Sequence, residues 1–304
     1  MRMEVTRLIK IGIFSTHEQF SADLAKYVNK AGKNEVHCEP AIVGEVRFME
    51  KSPYRLIIDR LSSHVPYFCA YFRNAALMGT YVINNPFCRL DRFNNYHLAR
   101  KIGLAVPRTV CLPSREYHPA CSQEDLENLK YPLGWEEIAD FVGFPAILKP
   151  YEGYGFRDVF KVNTIQELIH CYNGTGRQVM LMQENLAWDY YVKMFVVSQK
   201  ETCIIIHDIA KDEYSSDTGL LKGVPLAKIK KEALQVLKNL DVDFCTVEFA
   251  VKDKVPYVVN FINLDPDCRL ECMNHETYDW VLEKLAALAV KTAQSDRANT
   301  CGTV

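Results

Sequence analysis

The sequence predicts an α/β domain followed by two α+β lobes, and three observations lead there. Strand and helix signals alternate over the first third of the 304-residue chain. A strand–loop–strand–helix–strand run then fills residues 145–183, and two hairpin patterns flank an amphipathic helix over residues 191–262. Alternation of the first kind makes a parallel sheet with helices on its faces. Hairpin patterns make antiparallel sheet.

The elements follow in order. Leu8 to Phe14 is a short isoleucine-rich apolar run, a buried strand. Thr16 and Gln19 match the capping-box spacing, and Phe20, Leu24 and Val28 recur every fourth residue as a helix requires. Strands are expected at Arg55–Asp59 and Tyr81–Asn84, with a helix over Tyr67–Leu77 between them and a domain end near Pro107. Pro113 to Leu133 reads as a connecting excursion. A helix over Trp135–Val142 should turn Trp135, Ile138 and Phe141 to one face. Strands follow at Pro145–Lys149, Val159–Val162 and Val179–Gln183, with Thr164 and Glu167 forming a second capping box before a helix to Tyr172. Tyr191–Ser198 and Thr202–Asp208 form one hairpin, and Phe244–Val251 and Val255–Ile262 another. Ile229, Ala233, Val236, Leu237 and Leu240 mark a helix between them. A last helix runs over Glu276–Val290, and residues 293–304 are expected to fray.

Composition narrows the classes. A formal charge of -2 supplies no global field for nucleic acid or an anionic membrane. No apolar run approaches the roughly 18 residues of a membrane span, and the Lys10-interrupted N-terminus reads as a strand, not a signal peptide. A cytoplasmic protein is expected. The 11 cysteines are odd in number and scattered, with no Cys-x-x-Cys pair. They fit small buried hydrophobes (Cys69, Cys203, Cys245) in a reducing compartment better than zinc or disulfides.

Three segments carry chemistry. Lys149 closes an apolar strand just before Gly153, Tyr154 and Gly155. Glycines let backbone N–H groups approach phosphate oxygens, and the lysine adds a point charge. A plain hairpin turn gives the same pattern. The strand ending at Gln183 and Glu184 continues through Asn185 and Leu186 to Asp189. It can offer backbone groups to an adenine edge and a carboxylate to ribose, or simply leave the core. Glu248 lies inside an apolar strand, where an ionised carboxylate is costly unless paired or metal-bound. The hairpin places Asn260 near it and Asn263 just beyond, an oxygen set that suits Mg²⁺, although a wet strand face reads equally well.

Together and in order, these segments resemble the ATP-grasp superfamily. The match is to its carboxylate–amine ligase branch, which includes D-alanine–D-alanine ligase, glutathione synthetase and the ribosomal-protein glutamate ligase. More loosely, the chain resembles a bacterial ATP-grasp group with "VEFA" and "PY…DF-N-PD" phrases. Asp91-Arg92 before Gly103–Thr109, Pro145–Pro150, Met182–Glu184, Tyr191–Val197 and Glu248 with Asn260–Asn263 carry the likeness. It implies a Rossmann-like N-terminal domain over 1–108, a small lobe over 109–186 and a large lobe over 187–304.

The resemblance also implies Mg²⁺-ATP-dependent joining of a carboxylate to an amine through an acyl phosphate. Arg92 and Lys149 would contact phosphates, and the 153–155 loop would close over them. Gln183 to Leu186 would hold adenine and Asp189 ribose. Lys193 would face the phosphates, Glu248, Asn260 and Asn263 would hold Mg²⁺, and Arg269 would steady an anionic intermediate. Small-molecule substrates are implied, without nucleic acid or membrane; homo-oligomerisation stays open. Departures from the family are Arg92 for lysine, a loop poor in glycine, and Asn260 where a carboxylate is expected, with Asp265 or Asp267 as candidate replacements. A nucleotide-binding protein without ligation, and a small-molecule kinase of the same fold, are the alternatives. His207, and Arg60 to His64 at a strand end where α/β sheets bind ligands, are further candidates.

Overall fold

Ile9–Phe14 (β1) is apolar almost throughout because both of its faces are covered. In the computed structural model, which describes residues 8–16, 18–62, 65–88, 90–152 and 158–299, it sits inside a parallel sheet. Gln19–Gly32 (α1) follows, then Val36–Pro40 (β2), Leu56–Asp59 (β3), Pro66–Leu77 (α2) and Tyr81–Ile83 (β4), with sheet order β2-β1-β3-β4. Alternation sorts the core: Ile11, Ile13, Leu56, Ile58, Tyr81 and Ile83 face α1, whereas Phe14, Ile57 and Val82 face α2. Gly12 falls where a Cβ would come within 3.0 Å of Ala41 and of the Tyr54 ring, so no side chain fits there.

At this end one strand was not foreseen and one expectation is corrected. β2 reads Val-His-Cys-Glu-Pro and buries only Val36 and Cys38, so as an edge strand it has no apolar run to announce it. The helix α1 begins at Gln19 with Glu18 as its N-cap and no side-chain capping bond, so Thr16 does not form a capping box.

Arg92–Lys101 (α3) leads to Thr109–Leu112 (β5), Trp135–Val142 (α4), Ala146–Pro150 (β6), Phe160–Val162 (β7), Ile165–Asn173 (α5) and Met180–Glu184 (β8). The four strands form an antiparallel sheet, β5-β8-β6-β7. Ala146, Leu148, Met180 and Met182 point to a core shared with α4 and α5. The expected face of α4 is displaced: Ala139 and Val142 are buried, whereas Phe141 is 54% exposed. The second capping box forms, since Thr164 accepts from the Glu167 N–H at 3.1 Å. The Glu167 carboxylate reaches back one residue further, to Asn163 N–H at 2.8 Å.

Tyr190–Val197 (β9), Glu201–Asp208 (β10), Glu213–Ser215 (β11), Leu226–Asn239 (α6), Phe244–Lys252 (β12) and Val255–Asn263 (β13) complete the sheets, and His275–Ala293 (α7) follows. The order is β11-β10-β9-β12-β13, all antiparallel. Asp253 and Lys254, both at positive φ, form the two-residue turn of the β12–β13 hairpin. One face of this sheet packs on α6 and the other on α7, which also covers α1 and the parallel sheet.

The tail does not fray over its described part. Asn299 pairs with both backbone groups of Val82 on the edge strand β4, at 2.6 and 3.0 Å. Arg297 donates to Asp243 at 2.8 Å and Asp241 at 2.7 Å and lies over the Tyr81 ring. The tail thus satisfies a sheet edge that would otherwise be bare. Asn84 adds a second tie, accepting from the N–H groups of Asp243 and Phe244. Among the described residues no helix is long and apolar enough to cross a membrane.

Candidate active site

Lys193 on β9 pairs in register with Glu248 on β12, and Glu248 pairs with Asn260 on β13. Cross-strand partners share a face, so the three side chains stand side by side. Lys193 is 9% exposed and Glu248 5%. A carboxylate this buried needs partners, and Glu248 has three. Its Oε2 accepts from the Tyr191 hydroxyl at 2.6 Å. Its Oε1 accepts from the Thr246 hydroxyl at 2.6 Å and from Asn263 Nδ2 at 3.0 Å. Burial first, and then the adjacent Glu248 charge, push the Tyr191 phenol well above its ordinary range, which keeps it a donor.

Asn263 reaches this face through an irregularity. Simple alternation would send residues 260 and 263 to opposite faces. The register steps from Thr246↔Asn263 to Glu248↔Asn260, so β13 carries one extra residue and both asparagines serve one side. Thr246 and Tyr191 were absent from the sequence-based set. Each lies two residues from a member of it on the same strand, the one signal that could have included them.

The loop after β13 is committed to arginines. Asp267 binds Arg269 through Nε at 2.9 Å and Nη2 at 2.6 Å. Burial alone would raise the Asp267 carboxyl; Arg269, Cys272 and Lys193 outweigh it and hold the group ionised, below the usual carboxylate range. Asp265 lies 3.4 Å from Arg60 Nη1. Arg60, expected as a substrate contact, is buried and donates to Glu18 at 2.6 Å and to the Pro266 carbonyl at 3.2 Å. It anchors this loop to the carboxyl end of β3; His64 lies outside the described residues. His207 pairs opposite Tyr191, stacks on Tyr214 at 4.6 Å between ring centroids and contacts Asp212 at 2.8 Å.

The second group of predicted residues belongs to the smaller antiparallel sheet. Lys149 points away from the α4–α5 core, donates to Gln183 Oε1 at 2.7 Å and sits 5.7 Å over the Tyr96 ring. Gln183 in turn donates to Thr109 at 2.8 Å. Arg92, at the start of α3, donates to the Pro150 carbonyl at 2.6 Å. Asn95, one residue before Tyr96, donates to the Ile262 carbonyl at 3.4 Å. α3 therefore bridges the Lys149 strand and the Asn263 strand, and Leu181, Tyr96 and Phe261 share one apolar cluster there.

At the end of β8, Glu184 takes Arg108 at 3.0 Å through Nη2 and 3.2 Å through Nε. The Arg108 hydrogen bonds outweigh burial and lower the Glu184 carboxyl. Asn185 N–H bonds the Pro145 carbonyl at 3.1 Å, Leu186 follows it, and the Asp189 carboxylate accepts the Asp253 N–H at 2.9 Å. Arg108 was not foreseen from the sequence. Gly153, Tyr154 and Gly155 lie outside the described residues. A cavity of about 430 Å³, lined in part by Tyr151, Glu152 and Arg177, opens beside the end of β6.

No family model and no curated protein sequence matches the chain. Solved structures do. A D-alanine–D-alanine ligase from Bacillus anthracis, in complex with ATP, superposes with a TM-score of 0.65 at 17% identity, over 94% of this chain and 96% of that one. A RimK domain ATP-grasp protein from Sphaerobacter thermophilus gives 0.64 at 16% identity, over 94% and 100%. The macrocyclase MdnC from Microcystis aeruginosa, bound with the precursor peptide MdnA, gives 0.62 at 12% identity, over 93% and 100%. This chain has the ATP-grasp fold. Identities this low establish architecture; the chemistry has to be argued from the residues.

Lys149 belongs to the smaller antiparallel sheet, Arg92 bonds the end of its strand, and Lys193 belongs to the larger sheet. Among the described residues, no cluster of three or more His, Cys, Asp and Glu could hold a metal by itself. One Mg²⁺ still fits, because such ions commonly use one or two carboxylates and take their other ligands from phosphates and water. Of roughly four lone-pair positions on Glu248, its three protein donors take three. Ligating carboxylates are ordinarily hydrogen-bonded in this way. The Asn263 amide is turned with its nitrogen to Glu248 and its oxygen to the Asp265 N–H, at 3.2 Å. Reversing it would oppose oxygen to oxygen and N–H to N–H, so the two contacts fix the assignment.

Proposed function

We propose that the chain is an ATP-dependent ligase that joins a carboxylate to an amine through an acyl phosphate. Its units are a Rossmann-like domain over residues 1–108, a small lobe over 109–186 and a large lobe over 187–304. Nucleotide lies between the last two, with Gln183 to Leu186 at adenine and Asp189 at ribose. The observation that carries the reading is the buried cluster on one sheet face, where Lys193, Glu248 and Asn260 are cross-strand neighbours and Tyr191, Thr246 and Asn263 all donate to the Glu248 carboxylate. A carboxylate buried only for packing would need no amide partner brought in by a bulge.

Phosphoryl transfer asks a protein chiefly to position reactants and neutralise developing charge. Lys149, Arg92 and Lys193 supply that charge. Glu248 and Asn260 would hold Mg²⁺, which neutralises phosphate oxygens when bound. Asp267 fixes the Arg269 guanidinium at the mouth of the site, beside the His207–Tyr214 wall, where an acid and an amine would meet. A second reading, nucleotide binding without ligation, is favoured by one feature: Asp265 and Asp267 are both paired to arginines.

The test is release of ADP and phosphate by the purified chain with ATP and Mg²⁺ against a panel of amino acids, hydroxy acids and short peptides. Ligation predicts release stimulated only by an acid together with an amine. ATP binding with no stimulated release across the panel supports the second reading instead, and absence of ATP binding removes both.

A further inference from the structure

We propose that the outer face of α6, with the apolar groove beside it, binds a second copy of this chain through the outer face of that copy's α4. Ile229, Ala233 and Leu237 bury one stripe of α6, which turns Lys228, Lys231 and Lys238 to the opposite side. All three are exposed, as are Arg100 and Lys101 at the end of α3, and among the described residues none of the five forms an ion pair. The two helices bring their cations together: a Cβ at Gly103, two residues past Lys101, would stand 3.8 Å from the Lys228 ammonium. Residues 222–240 hold five lysines and a single acid, Glu232. Between α3 and Leu240 at the end of α6, a groove of about 540 Å³ is lined in large part by Phe87, Leu90, Leu98 and Leu240.

The matching surface is α4. Ala139 and Val142 are its buried residues, so Glu136, Glu137 and Asp140 point outward, exposed and without ion pairs among the described residues. Beside them Phe141 is largely exposed and lies outside the core that α4 shares with α5. Within one copy no ion pair joins the two faces among the described residues; α4 packs on the smaller antiparallel sheet and α6 on the larger.

Three features select this occupant. Lysines about one turn apart on a helix repel each other unless an anion lies across them, and α4 presents Glu136 and Asp140 at the same spacing. The groove is a recess that takes an inserted side chain. A membrane surface takes protruding apolar groups instead, and a nucleic-acid backbone offers phosphates that would use the lysines alone. Charge and apolar groups also come in the same order on both helices, Lys231 and Lys238 before Leu240 and Glu136 and Asp140 before Phe141. Laid side by side in parallel, the acids meet the lysines and the Phe141 ring enters the groove, an aromatic anchor rimmed by charge.

The experiment is sedimentation equilibrium of the full chain at low and high salt. Wild type should self-associate at about 0.05 M salt, with a dissociation constant at least about 10-fold weaker at about 0.5 M. Lys231→Glu with Lys238→Glu, and separately Glu136→Lys with Asp140→Lys, should each remain monomeric where wild type associates, with a circular dichroism spectrum like that of wild type. Mixed in equal amounts, the two reversed variants should associate again, because the α6 of one now complements the α4 of the other. A folding defect would give no such rescue. Phe141→Ser should weaken association by about 10-fold, the effect of losing a central aromatic anchor. The proposal is overturned if wild type stays monomeric at low salt up to about 0.1 mM, if either reversed variant associates undiminished, or if monomeric wild type instead takes DNA or polyglutamate on these lysines. No substituted residue belongs to the proposed nucleotide site, so each outcome leaves the ATP reading as it stands.

Discussion

Lys149→Ala is expected to lower ATP affinity by about 10- to 100-fold, the loss of one charge-assisted contact worth roughly 1.5–3 kcal/mol. The reason lies in where the strand puts the side chain. Ala146 and Leu148 turn inward to the α4–α5 core, whereas Lys149 takes the other face, over Tyr96 and against Gln183. Removing it leaves the core contacts of β6 untouched, and Gln183 keeps its bond to Thr109. The unfolding midpoint should therefore barely move while affinity collapses. Lys149→Arg should recover part of the loss, since charge is retained but the compact ammonium geometry is not. Titration calorimetry with a non-hydrolysable analogue, paired with denaturant unfolding, separates the two effects. Undiminished affinity in Lys149→Ala would remove this residue from the site.

Glu248→Ala should behave in the opposite way, with a large stability loss. Tyr191, Thr246 and Asn263 all donate to this carboxylate, and Lys193 stands beside it with little exposure. Truncation leaves three donors without their acceptor, a loss on the order of 1–3 kcal/mol for each that stays buried. Glu248→Gln retains one acceptor oxygen and should cost less, but its new NH₂ group faces donors on at least one side. Urea unfolding would show the ranking wild type, Gln, Ala. A near-neutral Ala variant would mean the four-residue cluster is far more hydrated than its burial indicates.

The two substitutions also mark what the sequence could and could not reveal. Strands buried on both faces, such as Ile9–Phe14 and Phe244–Lys252, are legible because nearly every side chain is apolar, and Glu248 stands out against that background. The two-residue turn at Asp253–Lys254 sets the register as far as Phe249↔Val258 and would put Val259 opposite Glu248. The shifts that bring Asn260 there and then set Asn263 opposite Thr246 do not follow from the turn, because an extra residue in a strand leaves no periodic mark. α3 was missed for a related reason: Arg-Phe-Asn-Asn-Tyr-His-Leu-Ala-Arg-Lys has little apolar periodicity, and its helix is held by the Asp91 cap and by burial of Asn95, Tyr96 and Ala99. Yet α3 ties the Lys149 strand to the Asn263 strand.

Phe141 shows the converse error. Its spacing from Trp135 and Ile138 suggests a shared face, but the core lies on the side of Ala139 and Val142. Small residues at a close helix–sheet contact carry a weak hydrophobic signal. The tail gives a third case. Residues 294–299 are mostly polar, and they are ordered by hydrogen bonds to a sheet edge and to Asp243, which only the tertiary structure supplies.

The central claim is that a triphosphate is gripped between Lys149 on one sheet and the Lys193–Glu248 pair on another. A crystal structure of the chain with a non-hydrolysable ATP analogue tests it most directly. The account predicts phosphate oxygens within hydrogen-bond distance of both Lys149 Nζ and Lys193 Nζ, with adenine against residues 183–186. An analogue bound elsewhere, for example in the groove of about 540 Å³ bordered by Phe87, His97 and Leu240, with Lys149 still on Gln183 and no phosphate near Lys193, would contradict it.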